Sequence, residues 1–159
     1  MATLLDAGAD PDLRDTFRNG WPSLIHAVHR HQTGAVRLLL DRGADPDRTT
    51  WNGLTPLMMA AAEADLKAVR NLLGAGADPH AESLDGLNAL TTAVAGGDAE
   101  AMRAILAAAP DLRWRSNIEG FGARAIATVC GNSEVLALLD QVLERQRRES
   151  SSTNRRTGA

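Results

Sequence analysis

The chain has a single cysteine, Cys130, among its 159 residues. An internal disulfide is therefore excluded, packing must hold the fold, and a reducing cytosol is the compartment that suits it. Apolar runs are short, far below the roughly 18 to 20 residues that a membrane span needs, and no basic-then-apolar leader opens the chain. A soluble, cytoplasmic protein without membrane attachment is the expectation. Aromatics make up only 3% of the sequence, and Lys67 is the one lysine against 16 arginines, a bias that hints at a GC-rich bacterial genome. Alanine is what the chain has in abundance: it outnumbers every other residue type and suits closely packed helices.

Charge is unevenly spread. Residues 145–159 carry five arginines against Glu149, a net +4, whereas the rest holds 12 basic and 19 acidic side chains, a net −7. A body of that sign repels phosphate backbones, so nucleic acid is not expected as a partner. The arginine-rich tail could touch an acidic surface, or it could simply be solvated.

The dominant feature is self-similarity, with a period of about 33 residues. Gly20, Gly53 and Gly86 recur at that spacing, and Gly120 follows one position late. Gly43, Gly76 and Ala109 keep the same period, as do Val36, Val69, Met102 and Val135. Leu39, Leu72, Ile105 and Leu138 form a further column, beside Leu40, Leu73, Leu106 and Leu139. Within one unit, Thr55 can cap a helix that Pro56 opens, because proline's missing N–H costs nothing at the first helical position. Helical spacing puts Leu57, Ala60 and Ala61 on one stripe. A second helix over about 66–74 carries Val69, Leu72 and Leu73, and Gly76-Ala77-Asp78-Pro79 ends it.

Two short helices and a turn-rich connector at this period, with Gly-x-Thr-Pro-Leu at 53–57 and Leu-Leu-x-x-Gly-Ala-Asp-Pro at 4–11, 39–46 and 72–79, resemble the ankyrin repeat family. The resemblance covers about residues 3–144. It implies an all-α helical repeat solenoid with short connector turns or β-hairpins. The units would be a half-repeat at 1–12 and repeats at about 16–48, 49–81, 82–115 and 116–148. The last helix would run to about Gln146, and a disordered tail would occupy 149–159. There are departures from the family pattern. Its histidine after Thr-Pro-Leu is replaced by Ile25, Met58, Thr91 and Ala125. Thr-Pro itself becomes Pro22-Ser23, Asn88-Ala89 and Gly122-Ala123 outside the second unit, which predicts weaker helix starts there. At the N-terminus the stub would leave apolar surface near Leu4, Ile25 and Leu38 uncovered. A boundary inside a longer array, a weak dimer through that edge and a tolerated weak cap each fit this stub; otherwise the chain is expected to be a monomer.

The resemblance also implies where a partner protein would bind: beside the turn glycine and after the alanine pair of each first helix. These positions are Arg18, Asn19, Trp21, His29 and Arg30 in the first unit, and Trp51, Asn52, Leu54, Ala62 and Glu63 in the second. In the third they are Leu84, Asp85, Leu87, Ala95 and Gly96, and in the fourth Ile118, Glu119 and Phe121. Trp114, between Arg113 and Arg115, could extend the row. Tryptophan and arginine are enriched at interface hot spots. The competing reading folds these aromatics back over the connector core.

Other chemistry is poorly supported. His26 and His29 lie one helical turn apart, but His31 points elsewhere and no carboxylate has the spacing of a zinc ligand. Cys130 reads as a buried thiol. The Asp-Pro-Asp triplets at 10–12 and 45–47 lack the spaced ligands of a calcium loop and read as connector turns. No phosphate-cradling loop, nucleophile elbow or metalloprotease helix is present. The expectation is a non-enzymatic protein-binding module without cofactor or metal, of inhibitor, immunity or adaptor type. The alternatives are a structural piece of a longer array and a subunit supporting an enzyme.

Overall fold

A computed structural model describes residues 5–15, 20–109 and 132–156, with 149–156 described by backbone only. The helices are α1 (Ser23–His29), α2 (Thr33–Asp41), α3 (Pro56–Ala62), α4 (Leu66–Gly74), α5 (Ala89–Gly96), α6 (Ala99–Ala108) and α7 (Ser133–Arg156). Extended pairing among the described residues is limited to one bridge, between Arg14 and Pro22. α1, α3 and α5 stack as one layer and α2, α4, α6 and α7 as a second, so that each of the first three units contributes one helix to each layer.

Local chemistry explains where the helices begin. Thr55 Oγ1 accepts from the Met58 N–H at 3.2 Å, and Pro56 opens α3. Pro22 offers α1 no side-chain cap, the weak start expected there. The third unit departs from that expectation. Asn88 Oδ1 accepts from the Thr91 N–H at 3.0 Å, and Thr91 Oγ1 accepts from the Asn88 N–H at 3.3 Å, forming a reciprocal capping box. A threonine in the family's histidine position thus secures the helix start that the missing Thr-Pro would have supplied. Asp65 and Asp98 cap α4 and α6.

The core is a row of repeated positions. Val36, Val69, Met102 and Val135 are fully buried, as are Leu72 and Ile105, with Leu39 at 1% exposure. In the last helix the second column shifts: Leu139 is buried and Leu138 only partly so. α7 buries Val135, Leu139 and Val142, an i, i+4, i+7 stripe, where α2, α4 and α6 use i, i+3. Ile25 does not form part of an uncovered edge. It occupies the same repeat position as Met58 and Thr91, and all three are buried. Leu38 is half-buried, and Leu4 lies outside the described residues. Leu13, 66% exposed, is where apolar surface does emerge, beside a small cavity of about 170 Å³ that Leu5, Pro11 and Leu39 also line.

The Asp-Pro connectors, Asp-Pro-Asp at 10–12 and 45–47 and Asp-Pro-His at 78–80, are turns that also tie units together. Asp10, Asp45 and Asp78 each accept, through Oδ1, the N–H two positions ahead, at 2.8–2.9 Å. Asp12 Oδ1 accepts the Asp45 N–H at 3.0 Å, and Asp47 Oδ1 accepts the Asp78 N–H at 2.9 Å, each reaching into the next connector. Gly76, with φ of 89°, supplies the left-handed residue that lets the chain leave α4.

At the C-terminal end the helix does not stop near Gln146, and 149–156 is helical backbone, not a disordered tail. No glycine or proline falls between 133 and 157 to end it, and Glu, Gln and Arg favour its continuation.

Candidate partner-binding edge

Each described hairpin between units is built by the same bonds. The Thr50 N–H donates to the Leu54 carbonyl at 2.9 Å, and the Ser83 N–H to the Leu87 carbonyl, also at 2.9 Å. The hydroxyls of Thr50 and Ser83 accept the N–H of Leu54 and Leu87 in return, at 3.0 and 3.1 Å. Thr50 and Ser83 are buried by this role, and Leu54 and Leu87 are half-buried at the hairpin base. The tips are themselves joined, because the Leu84 N–H donates to the Asn52 carbonyl at 3.0 Å. That approach needs a bare backbone at Gly53, where a Cβ would sit 3.0 Å from the Leu84 nitrogen.

This ladder projects side chains outward at one repeat position. Trp51 is 74% exposed and Leu84, at the same place in the following unit, 81%. Two of the three large exposed hydrophobics among the described residues therefore occupy equivalent tips. Trp51 is nevertheless held. Its indole lies against Gly20, where a Cβ would come within 1.7 Å of Nε1, and the Arg14 guanidinium sits 5.4 Å from the ring centroid. Arg14 is fixed in turn by donating to the Gly20 carbonyl at 3.0 Å. Asn52 and Asp85 are exposed beside these tips.

The expected first-helix positions behave differently. Trp21 is half-buried and packs on histidines, with its ring centroid 5.2 Å from His29, edge to face, and 5.4 Å from His26. His29 Nδ1 lies 2.5 Å from Glu63 Oε1, across the junction between the first two units. His31 Nδ1 pairs with Asp65 Oδ2 at 3.2 Å, while Asp65 Oδ1 caps α4. Arg30 is exposed. Gly96 has a packing role, since a Cβ there would meet the Ala61 carbonyl oxygen at 2.3 Å. Arg18, Asn19, Trp114, Ile118, Glu119 and Phe121, with Cys130, lie outside the described residues. Arg14, His31 and Asp65 are neighbours of the edge that do not fall on the expected contact positions. The common spacing of His29–Glu63 and His31–Asp65, one repeat plus one position, is the signal that could have found the last two.

No group of three or more His, Cys, Asp or Glu among the described residues could hold a metal ion. His26 instead faces Asp15 at 3.6 Å. No described helix is long and apolar enough to cross a membrane.

A family model of ankyrin repeats in three copies matches residues 1–83 and 57–142. The chain belongs to the ankyrin repeat family. One relative is the 2-5A-dependent ribonuclease of Mus musculus, 43% identical over 61 residues that make up 38% of this chain. That stretch is 8% of the ribonuclease, so the chain spans only a small fraction of its relative's length. Ankyrin repeats are general protein–protein interaction modules, and Trp51 and Leu84 at the hairpin tips of this chain stand clear of the fold.

Proposed function

We propose that this ankyrin array is a non-enzymatic module that binds a partner protein along its hairpin tips and the adjoining concave side, as an inhibitor or adaptor. The observation that carries the reading is the pair of exposed apolar side chains at one repeat position, Trp51 and Leu84, on tips already linked by a backbone hydrogen bond. Ordered tips lower the entropic cost of binding, because less backbone has to be fixed when the partner arrives. The indole that rests on Gly20 and Arg14 offers a partner its remaining surface without first having to be ordered. An extended, shallow edge of this kind suits a protein surface of about 800 Å² per partner better than a small molecule. Asn52 and Asp85 supply polar contacts at its rim, and Arg30 a charge. The acidic body argues against nucleic acid.

The test is affinity capture from cell extract with wild type and with Trp51→Ala and Leu84→Ala. Trp51→Ala should weaken binding of the captured partner by more than about 2 kcal/mol, the hot-spot range. Its melting temperature should stay within a few degrees of wild type. Undiminished capture by both variants, or a collapse in melting temperature for Trp51→Ala, would overturn the reading.

A further inference from the structure

The outer helices carry arginine at one repeat position: Arg37, Arg70 and Arg103 stand in three consecutive units. Their surroundings differ. Arg103 is engaged twice: one guanidinium nitrogen donates to Glu100 Oε1 at 2.9 Å, and another meets Glu134 Oε1 at 2.6 Å. Glu134 reaches it from α7, the neighbouring helix of the stack, and its hydrogen bond raises the Arg103 pKa above the ordinary value. The residues that would stand in the same relation to Arg70 are Lys67 and Ala101, and to Arg37 they are Gly34 and Ala68. None is a carboxylate. Arg70 accordingly makes no ion pair with the described residues, and Arg37 has only a 3.9 Å contact to Asp41, with both side chains largely in solvent.

Between these two arginines lies an open groove of about 540 Å³, lined also by Leu40, Asp41 and Asn71. We propose that this groove is a second binding site, one that takes two carboxylates of a short acidic peptide segment, Arg37 and Arg70 each receiving one as Arg103 receives Glu134. Guanidinium groups match carboxylates in planar, paired hydrogen bonds, which makes arginine the suitable residue for this contact. Helix layers stack about 8 to 10 Å apart, so the two carboxylates would be separated by a comparable distance, two or three residues along an extended segment at about 3.3 Å each. Lys67 adds a nearby positive charge, and the Asn71 amide can donate. The net −7 of the chain outside 145–159 disfavours a long phosphate polymer, while two or three carboxylates placed locally avoid most of that repulsion. The groove belongs to the α2/α4 layer and shares no lining residue with the hairpin tips, so a second partner could be held together with the first.

The experiment is fluorescence anisotropy with a rhodamine-labelled hexaglutamate peptide at physiological salt. Wild type should bind it, and an Arg37→Gln/Arg70→Gln variant should bind about tenfold more weakly, the combined effect of two exposed charge pairs. An Arg48→Gln/Arg148→Gln variant removes the same charge elsewhere and should stay within twofold of wild type. In wild type, the Asn71 side-chain amide resonance should shift as the peptide is added. Equal weakening in both double variants, an unmoved Asn71 resonance, or tighter binding of a single-stranded RNA hexamer than of the peptide would each overturn the proposal.

Discussion

The two junctions between the first three units are closed in different ways. At the end of the first helix, one repeat position holds Arg30, Glu63 and Gly96, and its neighbour holds His29, Ala62 and Ala95. Between units one and two the gap is spanned by long side chains, His29 to Glu63 and His31 to Asp65. Between units two and three the bare backbone of Gly96 comes against the Ala61 and Ala62 carbonyls. The same repeat geometry therefore accepts either exposed polar ties or close backbone packing. These two solutions differ in energy, because a partly exposed histidine–carboxylate contact contributes little whereas a steric clash against backbone is not easily relieved. Some of the expected contact positions, His29, Glu63 and Gly96, are in this way used inside the array, whereas Trp51 and Leu84 at the tips stay exposed.

The largest expected effect lies beneath both junctions. Leu72→Ala should cost about 2 to 5 kcal/mol in chemical denaturation, since it empties a fully buried position in the central unit. A loss below about 1 kcal/mol would show that adjacent units close the cavity. Next comes Gly96→Ala, which should cost about 1 to 3 kcal/mol by forcing α5 away from α3; a neutral result would mean that the second junction has slack. Glu63→Gln should lower stability by less than about 1 kcal/mol, because the His29 side chain is half exposed. If Glu63→Gln proved as damaging as Gly96→Ala, the distinction between the junctions would fail.

The smallest effect concerns Asp47, the cross-unit tie between connectors. Burial raises its carboxyl pKa, the Asp78 N–H opposes this, and the charges of Asp45 and Asp78 add to the rise. The folded state thus holds this proton more tightly than the unfolded chain. The contribution of Asp47 to stability is accordingly present at acid pH and is lost as pH rises through the folded-state value. Asp47→Asn keeps the acceptor for Asp78 and removes the charge. It should be more stable than wild type at pH 7 by less than about 1 kcal/mol, with the gain vanishing near pH 3. A thermal melt in which Asp47→Asn is less stable at pH 7 would show that the ionised carboxylate is the better acceptor.

Most of the helical architecture is legible in the repeat columns, because a buried position that recurs in each unit leaves a periodic apolar signal. The Asp-Pro-Asp turns are legible for the same reason. Other features are not. The capping box at Asn88 and Thr91 replaces a Thr-Pro start with different chemistry at the same place, and comparison with the family pattern makes the missing Thr-Pro look like a weakness. The burial of Leu139 in place of Leu138 follows from the i, i+4, i+7 stripe of α7, to which column matching is blind. The continuation of α7 to Arg156 is hidden by composition, because low apolar content resembles disorder although nothing in that segment breaks a helix.

The candidate edge divides in the same manner. Trp51 and its neighbours are identified by their position beside a turn glycine, but the sequence groups Trp21, His29, Trp51 and Glu63 as one set of contacts. The fold separates them: Trp21 packs on His26 and His29, Glu63 takes the His29 ring, and Trp51 and Leu84 remain exposed. By itself the sequence determined the repeat, its helices, its buried columns and its turns, since those depend on spacing within a unit. Only the tertiary structure decided which surface residues are consumed between units and which stay free. That choice depends on distances across a junction, where side chains about one repeat apart meet and a missing Cβ or a matched carboxylate closes the gap.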